Sequence, residues 1–225
     1  MEKTLIPIIE LFKKSFDEYI KQVWKLAGIM LFGCLGAAVF LPFGLIIFLI
    51  SFNAFSERHF SVTLILVDVL LILIGALFAI IIGLWSRVAL FCAVKDNTAG
   101  IKKSLSDAWP KIASFFWISL LAGLAVLGGF ILFVIPGIIF AVWFGFSLYV
   151  YIFEGTKGSS ALKKSKELVK GRWWPVFARF LVFGIIAMLI SWIKGLGPII
   201  NAFFVVPFGA VYLKVLYEDL KSIKA

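Results

Sequence analysis

The sequence has few charged residues and very little cysteine or histidine. Charged residues make up 15% of its 225 residues, 63% are apolar or aromatic, and there are two cysteines and one histidine. A soluble domain carries about 25% charged and about 45–50% apolar residues, and its interior is too small to bury this much apolar surface. Two cysteines exclude a disulfide-stapled scaffold, and 19 glycines with seven prolines exclude collagen. A mean hydropathy of +1.09 therefore favours a membrane protein.

Few residues remain that could carry catalysis or bind a metal. His59 is the single histidine, and Cys34 and Cys92 are predicted too far from it to share a metal ion. The sequence contains no paired Cys-x-x-Cys, no His-Glu-x-x-His and no phosphate-binding glycine loop. We therefore predict no catalytic residue, no metal and no cofactor, and we expect that the protein is not an enzyme.

Long runs without charge indicate the membrane spans. A bilayer core is about 30 Å thick and needs about 20 helical residues to cross it. The longest run, residues 112–153, exceeds one span and carries Pro136-Gly137 near its middle, which predicts two helices joined by a tight turn. Residues 1–225 are therefore predicted to form a single integral membrane domain with six transmembrane helices, near residues 26–51, 63–90, 113–134, 137–153, 175–193 and 198–217.

Positive charge is concentrated on one side of this arrangement. Of the 22 lysines and arginines, 20 fall in the terminal segments, in the 92–112 and 154–174 loops or at the helix ends beside them. Only Arg58 and Lys194 fall on the other side. Loops rich in lysine and arginine stay in the cytoplasm, so we predict a multi-pass protein of the cell inner membrane with both termini cytoplasmic. The formal net charge of +10 then indicates anionic lipid headgroups as partners, and not nucleic acid.

The tripeptide Lys-Lys-Ser occurs three times, at residues 13–15, 102–104 and 163–165, each about ten residues before an odd-numbered span. Around each copy, apolar residues recur at steps of three and four, which predicts an amphipathic helix lying in the headgroup plane. A chance match among basic loops is the alternative. The lysines predicted to face anionic lipid are Lys13, Lys14, Lys102, Lys103, Lys163 and Lys164.

The predicted fold class is an all-α polytopic membrane helix bundle. It has six transmembrane helices arranged as three hairpins, and each hairpin is preceded by a cytoplasmic amphipathic interfacial helix. In the first of these interfacial helices, the predicted apolar stripe comprises Leu5, Ile9, Phe12, Phe16, Tyr19 and Val23.

A small group of polar residues is predicted at the cytoplasmic ends of the spans. Glu154 ends the fourth span, and Ser165 falls on the apolar stripe of the third amphipathic helix. Three arginines are predicted at the same level: Arg87, Arg172 and Arg179. An unpaired carboxylate at that depth is costly, so we predict that Glu154 pairs with an arginine or accepts hydrogen bonds from the helix of Ser165, as a structural clamp. A substrate site is the alternative.

Asp68 is the one acidic residue placed in the apolar stretch of the second span. Carboxylates inside a membrane are costly and often functional. The uncharged run that starts at Val69, however, is nearly long enough to span alone. Two interpretations stay open: a position at the outer interface, or a role in coupling transport to protons or ions.

Residues 135–174 carry a more specific pattern. A span led by Ile135-Pro136-Gly137-Ile138 closes at Phe153-Glu154-Gly155, followed by Ala161, Leu162, Ser165, Leu168 and Lys170-Gly171-Arg172-Trp173-Trp174. This segment resembles the bacterial integral-membrane family named for the membrane domain of glycerophosphoryl diester phosphodiesterase, with its small inner-membrane relatives. The resemblance implies a polytopic helical membrane domain without the phosphodiesterase barrel. Over the rest of the chain it extends only to hydropathy and helix order.

Two functions follow as hypotheses. The first is a non-catalytic scaffold or lipid-interacting domain at the cytoplasmic face of the inner membrane, which organises anionic lipid, protein partners or further copies of itself. The alternative is a small transporter or lipid translocator with a cavity between the hairpins. Polar residues within the spans are few and lie mostly near their ends, which disfavours a wide aqueous pore.

Overall fold

The computed structural model describes residues 4–38, 44–47, 49, 51 and 62–224. Across these residues the chain is helical and forms no β-strand, which confirms the predicted all-α class. The described residues include a 3₁₀ turn, Trp109–Lys111, and a π-helical turn, Asn201–Val205. The helices are α1 (Ile8–Ile20), α2 (Val23–Ala38), α3 (Val62–Lys95), α4 (Ile101–Ala108), α5 (Ile112–Leu132), α6 (Val134–Phe144), α7 (Ser147–Glu154), α8 (Ser159–Val169), α9 (Trp173–Ser191), α10 (Gly197–Ile200) and α11 (Val206–Lys224).

Within the described residues, five helical segments are long and apolar enough to cross a bilayer. They are Leu66–Lys95, Ile101–Leu132, Val134–Glu154, Trp173–Ser191 and Gly197–Lys224, and they correspond to the second to sixth predicted spans. The first predicted span, near 26–51, begins in the shorter apolar helix Val23–Gly36 and continues partly outside the described residues. Arg58 and His59 also lie outside them.

The first hairpin pairs α2 with the C-terminal half of α3. The Ser86 hydroxyl donates a hydrogen bond to the Ile29 carbonyl at 2.8 Å, which links the two helices where both are buried. A Cβ atom at Gly33 would lie 2.6 Å from the Ser86 hydroxyl oxygen. Glycine therefore permits this close approach of the two backbones.

The second hairpin turns three residues earlier than the sequence suggested. The turn lies at Phe133, whose extended backbone (φ −163°, ψ 156°) separates α5 from α6, and the predicted turn at Pro136-Gly137 is wrong. Pro136 is tolerated in the first turn of α6 because the N–H groups there have no partner within the helix. Gly137 serves packing, since a Cβ atom on the facing Gly129 would lie 2.9 Å from the Gly137 Cα atom.

The buried core lies at one end of the bundle, and we call it the basal core. It consists mainly of residues 88–94, 146–152 and 210–220, most of which are buried. At the tip of the second hairpin, by contrast, apolar side chains are open: Ile131 and Phe133 are 85% and 77% exposed. Apolar exposure of this extent is costly in water but is expected against lipid tails.

The three Lys-Lys-Ser tripeptides fall in α1, α4 and α8, which pack on α11, α3 and α7. Each copy uses its residues in the same way. The serine is buried, with at most 1% of its surface exposed, and both lysines are exposed. The buried serines are Ser15, Ser104 and Ser165.

The helix α1 has two apolar faces. Leu11, Ser15 and Tyr19 are buried, on a helix that packs against α11. Ile9 and Phe16, which belong to the predicted stripe, are 85% and 53% exposed. The protein therefore covers Tyr19 of the predicted stripe together with Leu11 and Ser15 beside it, and leaves Ile9 and Phe16 of the stripe open.

Candidate functional site

Glu154 lies where three helices meet, at the edge of the basal core. It is the last residue of α7, and Gly155 after it adopts the left-handed conformation that ends a helix, with φ +74°. The Glu154 Oε1 atom accepts a hydrogen bond from the Tyr217 hydroxyl at 2.6 Å and lies 2.9 Å from Lys221 Nζ. The Oε2 atom forms an ion pair with Lys164 of α8. One carboxylate therefore joins α7, α8 and α11.

The partners of this carboxylate differ in burial. The Glu154 side chain is 15% exposed, whereas Lys164 and Lys221 are more than half exposed, and Tyr217 is buried. Exposed ion pairs contribute about 0–1 kcal/mol. A hydrogen bond to a charged group contributes about 1.5–3 kcal/mol. The Tyr217 hydrogen bond is therefore the strongest link in this group.

The sequence predicts either an arginine or the helix of Ser165 as the partner of Glu154, and the carboxylate pairs with two lysines, of which Lys164 belongs to that helix and neither is an arginine. Arg87 is exposed on α3, and Arg172 directly precedes α9. Arg179 is buried and donates to the Pro175 carbonyl at 2.8 Å and to the Ile6 carbonyl. The physical reason is the path of α8, which runs back along α7 and so brings one of its own lysines to the carboxylate.

Ser165 lies at a break between α6 and α7. The fourth predicted span is not one continuous helix, because α6 ends at Phe144 and α7 begins at Ser147. The Ser165 hydroxyl donates to the Trp143 carbonyl at 2.6 Å and accepts from the Phe146 backbone N–H at 3.2 Å. One buried side chain therefore satisfies two backbone groups at the break.

The N-terminal segment is held by two charged residues that sequence analysis did not connect. The Ile6 N–H donates to Asp219 Oδ2 at 3.0 Å, and the Ile6 carbonyl accepts from Arg179. The Tyr212 hydroxyl donates in turn to the Arg179 carbonyl at 3.2 Å. We call this contact the Ile6 strap. No local sequence signal predicts it, since Asp219 is one of several charged residues along α11.

Two lysines cap the C-terminal ends of helices that precede basic loops. Lys25 Nζ donates to the carbonyls of Ala93 and Asp96, at 3.0 and 3.1 Å, where α3 ends. Lys95 Nζ donates to the Ile152 carbonyl at 2.8 Å, near the end of α7. The last carbonyls of a helix have no partner within it and carry partial negative charge, so an ammonium group satisfies both needs. Some of the positive charge that sequence analysis assigned to topology therefore also caps helices.

Asp96 orders the turn between α3 and α4. Its Oδ1 atom accepts hydrogen bonds from the Thr98 hydroxyl at 2.6 Å, the Thr98 N–H at 3.0 Å and the Ala99 N–H at 3.2 Å. The hydrogen bonds from Thr98, with smaller effects of Ala99 and Lys103, lower the pKa of Asp96 to about 2. Lys103 Nζ lies 3.5 Å from Asp96 Oδ2. Two of the six lysines predicted to face lipid, Lys103 and Lys164, thus also pair with carboxylates of the chain.

Asp68 lies near the start of the candidate span Leu66–Lys95 and is partly buried. The Ser51 hydroxyl donates to its Oδ2 atom. The carboxylate therefore accepts a hydrogen bond from a residue that precedes α3 in the chain.

A cleft of about 360 Å³ opens beside Glu154. Charged residues of both signs line it, because Glu154 and Glu167 face Lys164, Lys221 and Lys224 across it. The Glu154 carboxylate is already engaged by the tyrosine and the two lysines described above. The arrangement is suited to holding α8 on the bundle.

Comparison of the chain with protein-family models, with curated proteins and with solved structures finds no match. The structure itself gives the class of protein: the described residues form helices, and several of these helices are apolar and long enough to span a membrane.

Proposed function

We propose that this protein is a non-catalytic scaffold of the cell inner membrane that interacts with anionic lipid at its cytoplasmic face. In this proposal six spans form three hairpins, both termini are cytoplasmic, and α1, α4 and α8 lie at the headgroup level. The observation that carries it is the common use of the three Lys-Lys-Ser tripeptides. Each copy buries its serine and leaves both lysines exposed.

Exposed ammonium groups next to apolar surface favour a membrane interface. On α1, the exposed Ile9 and Phe16 adjoin the exposed Lys13, so one helix offers both tail contacts and headgroup contacts. A lysine near an anionic leaflet contributes about 1 kcal/mol, and screening by salt reduces this value. Several such lysines therefore enrich anionic lipid around the protein without any one of them forming a specific site.

The contacts of Glu154 and Ser165 support a structural role for the segment that follows the fourth span. Both residues fix α8 against the bundle, which keeps its charged face turned outward. Membership in the membrane family that residues 135–174 resemble is a proposal that rests on the sequence pattern, to which Glu154, Gly155 and Ser165 belong. The transporter hypothesis depends most on Asp68, and its hydrogen bond with Ser51 favours a local structural role for this carboxylate.

The test uses four of the six lysines, because Lys103 and Lys164 also hold carboxylates of the chain. The combined variant changes the remaining four to glutamine: Lys13, Lys14, Lys102 and Lys163. The lipid that co-purifies with the protein in native-like discs is then quantified by mass spectrometry. We expect the enrichment of anionic over zwitterionic lipid to fall, while the protein still inserts and unfolds at its normal temperature.

The matched control is Lys157→Gln, which removes an exposed charge outside the three tripeptides and should leave the enrichment nearly unchanged. An unchanged anionic lipid shell in the four-lysine variant would mean that these lysines serve only to orient the chain. A stoichiometric metabolite in the purified protein would contradict the scaffold proposal and favour a transporter.

A further inference from the structure

An apolar groove of about 640 Å³ runs between α6 and the start of α9. Along α6 its wall extends over the nine residues from Ile135 to Trp143, and therefore over about 12 Å of helix. Trp173, Trp174 and Phe177 form the opposite wall. The Trp173 and Phe177 rings are stacked with centroids 5.0 Å apart, which fixes the shape of this wall. An apolar groove of this length suits part of a single acyl chain.

Positive charge gathers where α8 passes into α9. Lys170 lines the groove and is exposed, and Lys166 Nζ lies 4.2 Å from the centroid of the Trp143 ring. The first N–H groups of the 19-residue helix α9 face the same turn and carry partial positive charge. None of the described residues that line the groove is acidic. The groove therefore has an apolar length and a cationic end.

One donor beside this cationic end lacks a partner in the described part of the chain. The indole N–H of Trp173 is buried and makes no hydrogen bond to another described residue. A buried donor of this kind is destabilising unless an acceptor satisfies it. Tryptophans are enriched at membrane interfaces, where their amphipathic rings lie at the level of the lipid headgroups.

We infer that this groove binds one anionic phospholipid. An acyl chain lies along the wall from Ile135 to Trp143, and the phosphate lies at Lys170 and the first turn of α9. This inference rests on the proposed function and narrows it from general enrichment of anionic lipid to one stoichiometric site. A zwitterionic lipid fits less well, because its own ammonium group opposes the positive charge of Lys166 and Lys170.

The test titrates the full chain in detergent with phosphatidylglycerol or with phosphatidylcholine of the same acyl chains, and native mass spectrometry counts the bound lipids. Ile139→Trp fills the groove, and Ile131→Trp is its control at an exposed position on the hairpin tip. Lys170→Gln removes the charge at the cationic end, and Lys157→Gln is its control. We expect one phosphatidylglycerol to be retained in preference, binding to be lost in Ile139→Trp, and affinity to fall about fivefold in Lys170→Gln.

Equal binding by Ile139→Trp and Ile131→Trp would overturn the groove as the site, and so would retention of detergent alone. Equal binding of the two lipids would overturn the assignment of an anionic headgroup. Since Lys170 is exposed, Lys170→Gln tests the site even where Ile139→Trp fails to fold. Unchanged binding in both groove variants, together with loss of anionic lipid in the four-lysine variant, would refute the groove and leave the proposed function standing. Unchanged lipid in all of these variants would refute both.

Discussion

Arg179 and Asp219 hold the backbone of one residue, Ile6, from two sides. The guanidinium donates to the Ile6 carbonyl, and the carboxylate accepts the Ile6 N–H at 3.0 Å. The two charged residues belong to α9 and α11, so the segment before α1 is tied to the last hairpin by hydrogen bonds to charged groups. Such hydrogen bonds are stronger than those between neutral groups.

Removing one side of the Ile6 strap should loosen the N-terminal segment. Asp219→Ala leaves the Ile6 N–H without its acceptor, which should destabilise the protein by about 1–3 kcal/mol. Thermal unfolding in detergent measures the loss, and limited proteolysis should cleave the first 20 residues faster. Asp17→Ala, which removes an exposed carboxylate from α1, is the control. Cleavage of Asp219→Ala at the rate of the unchanged protein would show that the strap does not hold this segment.

The group around Glu154 should respond to substitutions in a graded way. Glu154→Gln keeps an oxygen for the Tyr217 hydroxyl, but it removes the charge that strengthens this hydrogen bond and that pairs with two exposed lysines, so the cost should be about 1 kcal/mol. Glu154→Ala leaves the Tyr217 hydroxyl without an acceptor and should cost about 1–3 kcal/mol. Unfolding in the same detergent compares the two. The double variant with Tyr217→Phe should be less destabilised than the sum of its parts, because it leaves no unpaired hydroxyl. Additive losses would mean that the hydrogen bond contributes little.

Serines of the three tripeptides offer a matched comparison. Ser165→Ala leaves the Trp143 carbonyl and the Phe146 N–H at the helix break without their partner, which should cost about 1–3 kcal/mol. Ser15→Ala removes only a hydrogen bond to the Leu11 carbonyl four residues earlier, a contact that contributes little to a helix. The unfolding temperatures of the two variants should therefore differ clearly. Equal effects would mean that Ser165 does not secure the break.

The proposed topology predicts which positions can be labelled from outside the cell. In a protein with Cys34 and Cys92 replaced, a membrane-impermeant thiol reagent should label Leu196→Cys in the exposed outer turn. Asn97→Cys and Lys157→Cys, which are exposed in the two basic loops, should react only after the membrane is permeabilised. External labelling of Lys157→Cys would refute the six-span arrangement, because residues 112–153 would then cross the membrane an odd number of times.

Acid should weaken the turn that Asp96 orders. The pKa of Asp96 is lowered to about 2 in the folded protein, first by the hydrogen bonds from Thr98, against about 4 in an unfolded chain. A lowered pKa stabilises the fold above the unfolded value, and this contribution is lost as pH falls from about 4 towards 2. The unfolding temperature of Asp96→Ala should therefore lie below that of the unchanged protein at pH 6, and the difference should shrink near pH 2. A difference that stays constant with pH would contradict this role of the charge.

Apolar runs were sufficient to predict the all-α class and the five described helical segments of membrane-spanning length, because hydropathy and length are local properties. The sequence predicts the turn of the second hairpin at Pro136-Gly137, because proline and glycine often end helices. Phe133 makes the turn instead, and Gly137 permits contact with Gly129. That use of glycine depends on the facing helix, which no local pattern contains.

The sequence could not predict which side chains pair with Glu154, for a similar reason. Its depth and its need for a partner followed from its place at the end of an apolar run. The choice of Lys164 and Tyr217 over an arginine depends on the direction of α8 and on the rotation of α11. Several cations lie within reach of such a carboxylate, and only the packed bundle decides among them.

The packing of α1 on α11 has a consequence for how the protein is made. Proteins are synthesised from the N-terminus, so α1 is made before the helices that follow it in the chain, of which α11 is the last described. Until α11 is made, the side formed by Leu11 and Tyr19 lacks the surface that covers it in the fold, and the Ile6 N–H lacks its acceptor Asp219. The helix that closes the structure is also the one synthesised latest among the described residues. The burial of Leu11 and Tyr19 against α11 therefore has to await the synthesis of α11, and in a chain that stalls before it these side chains lack that cover.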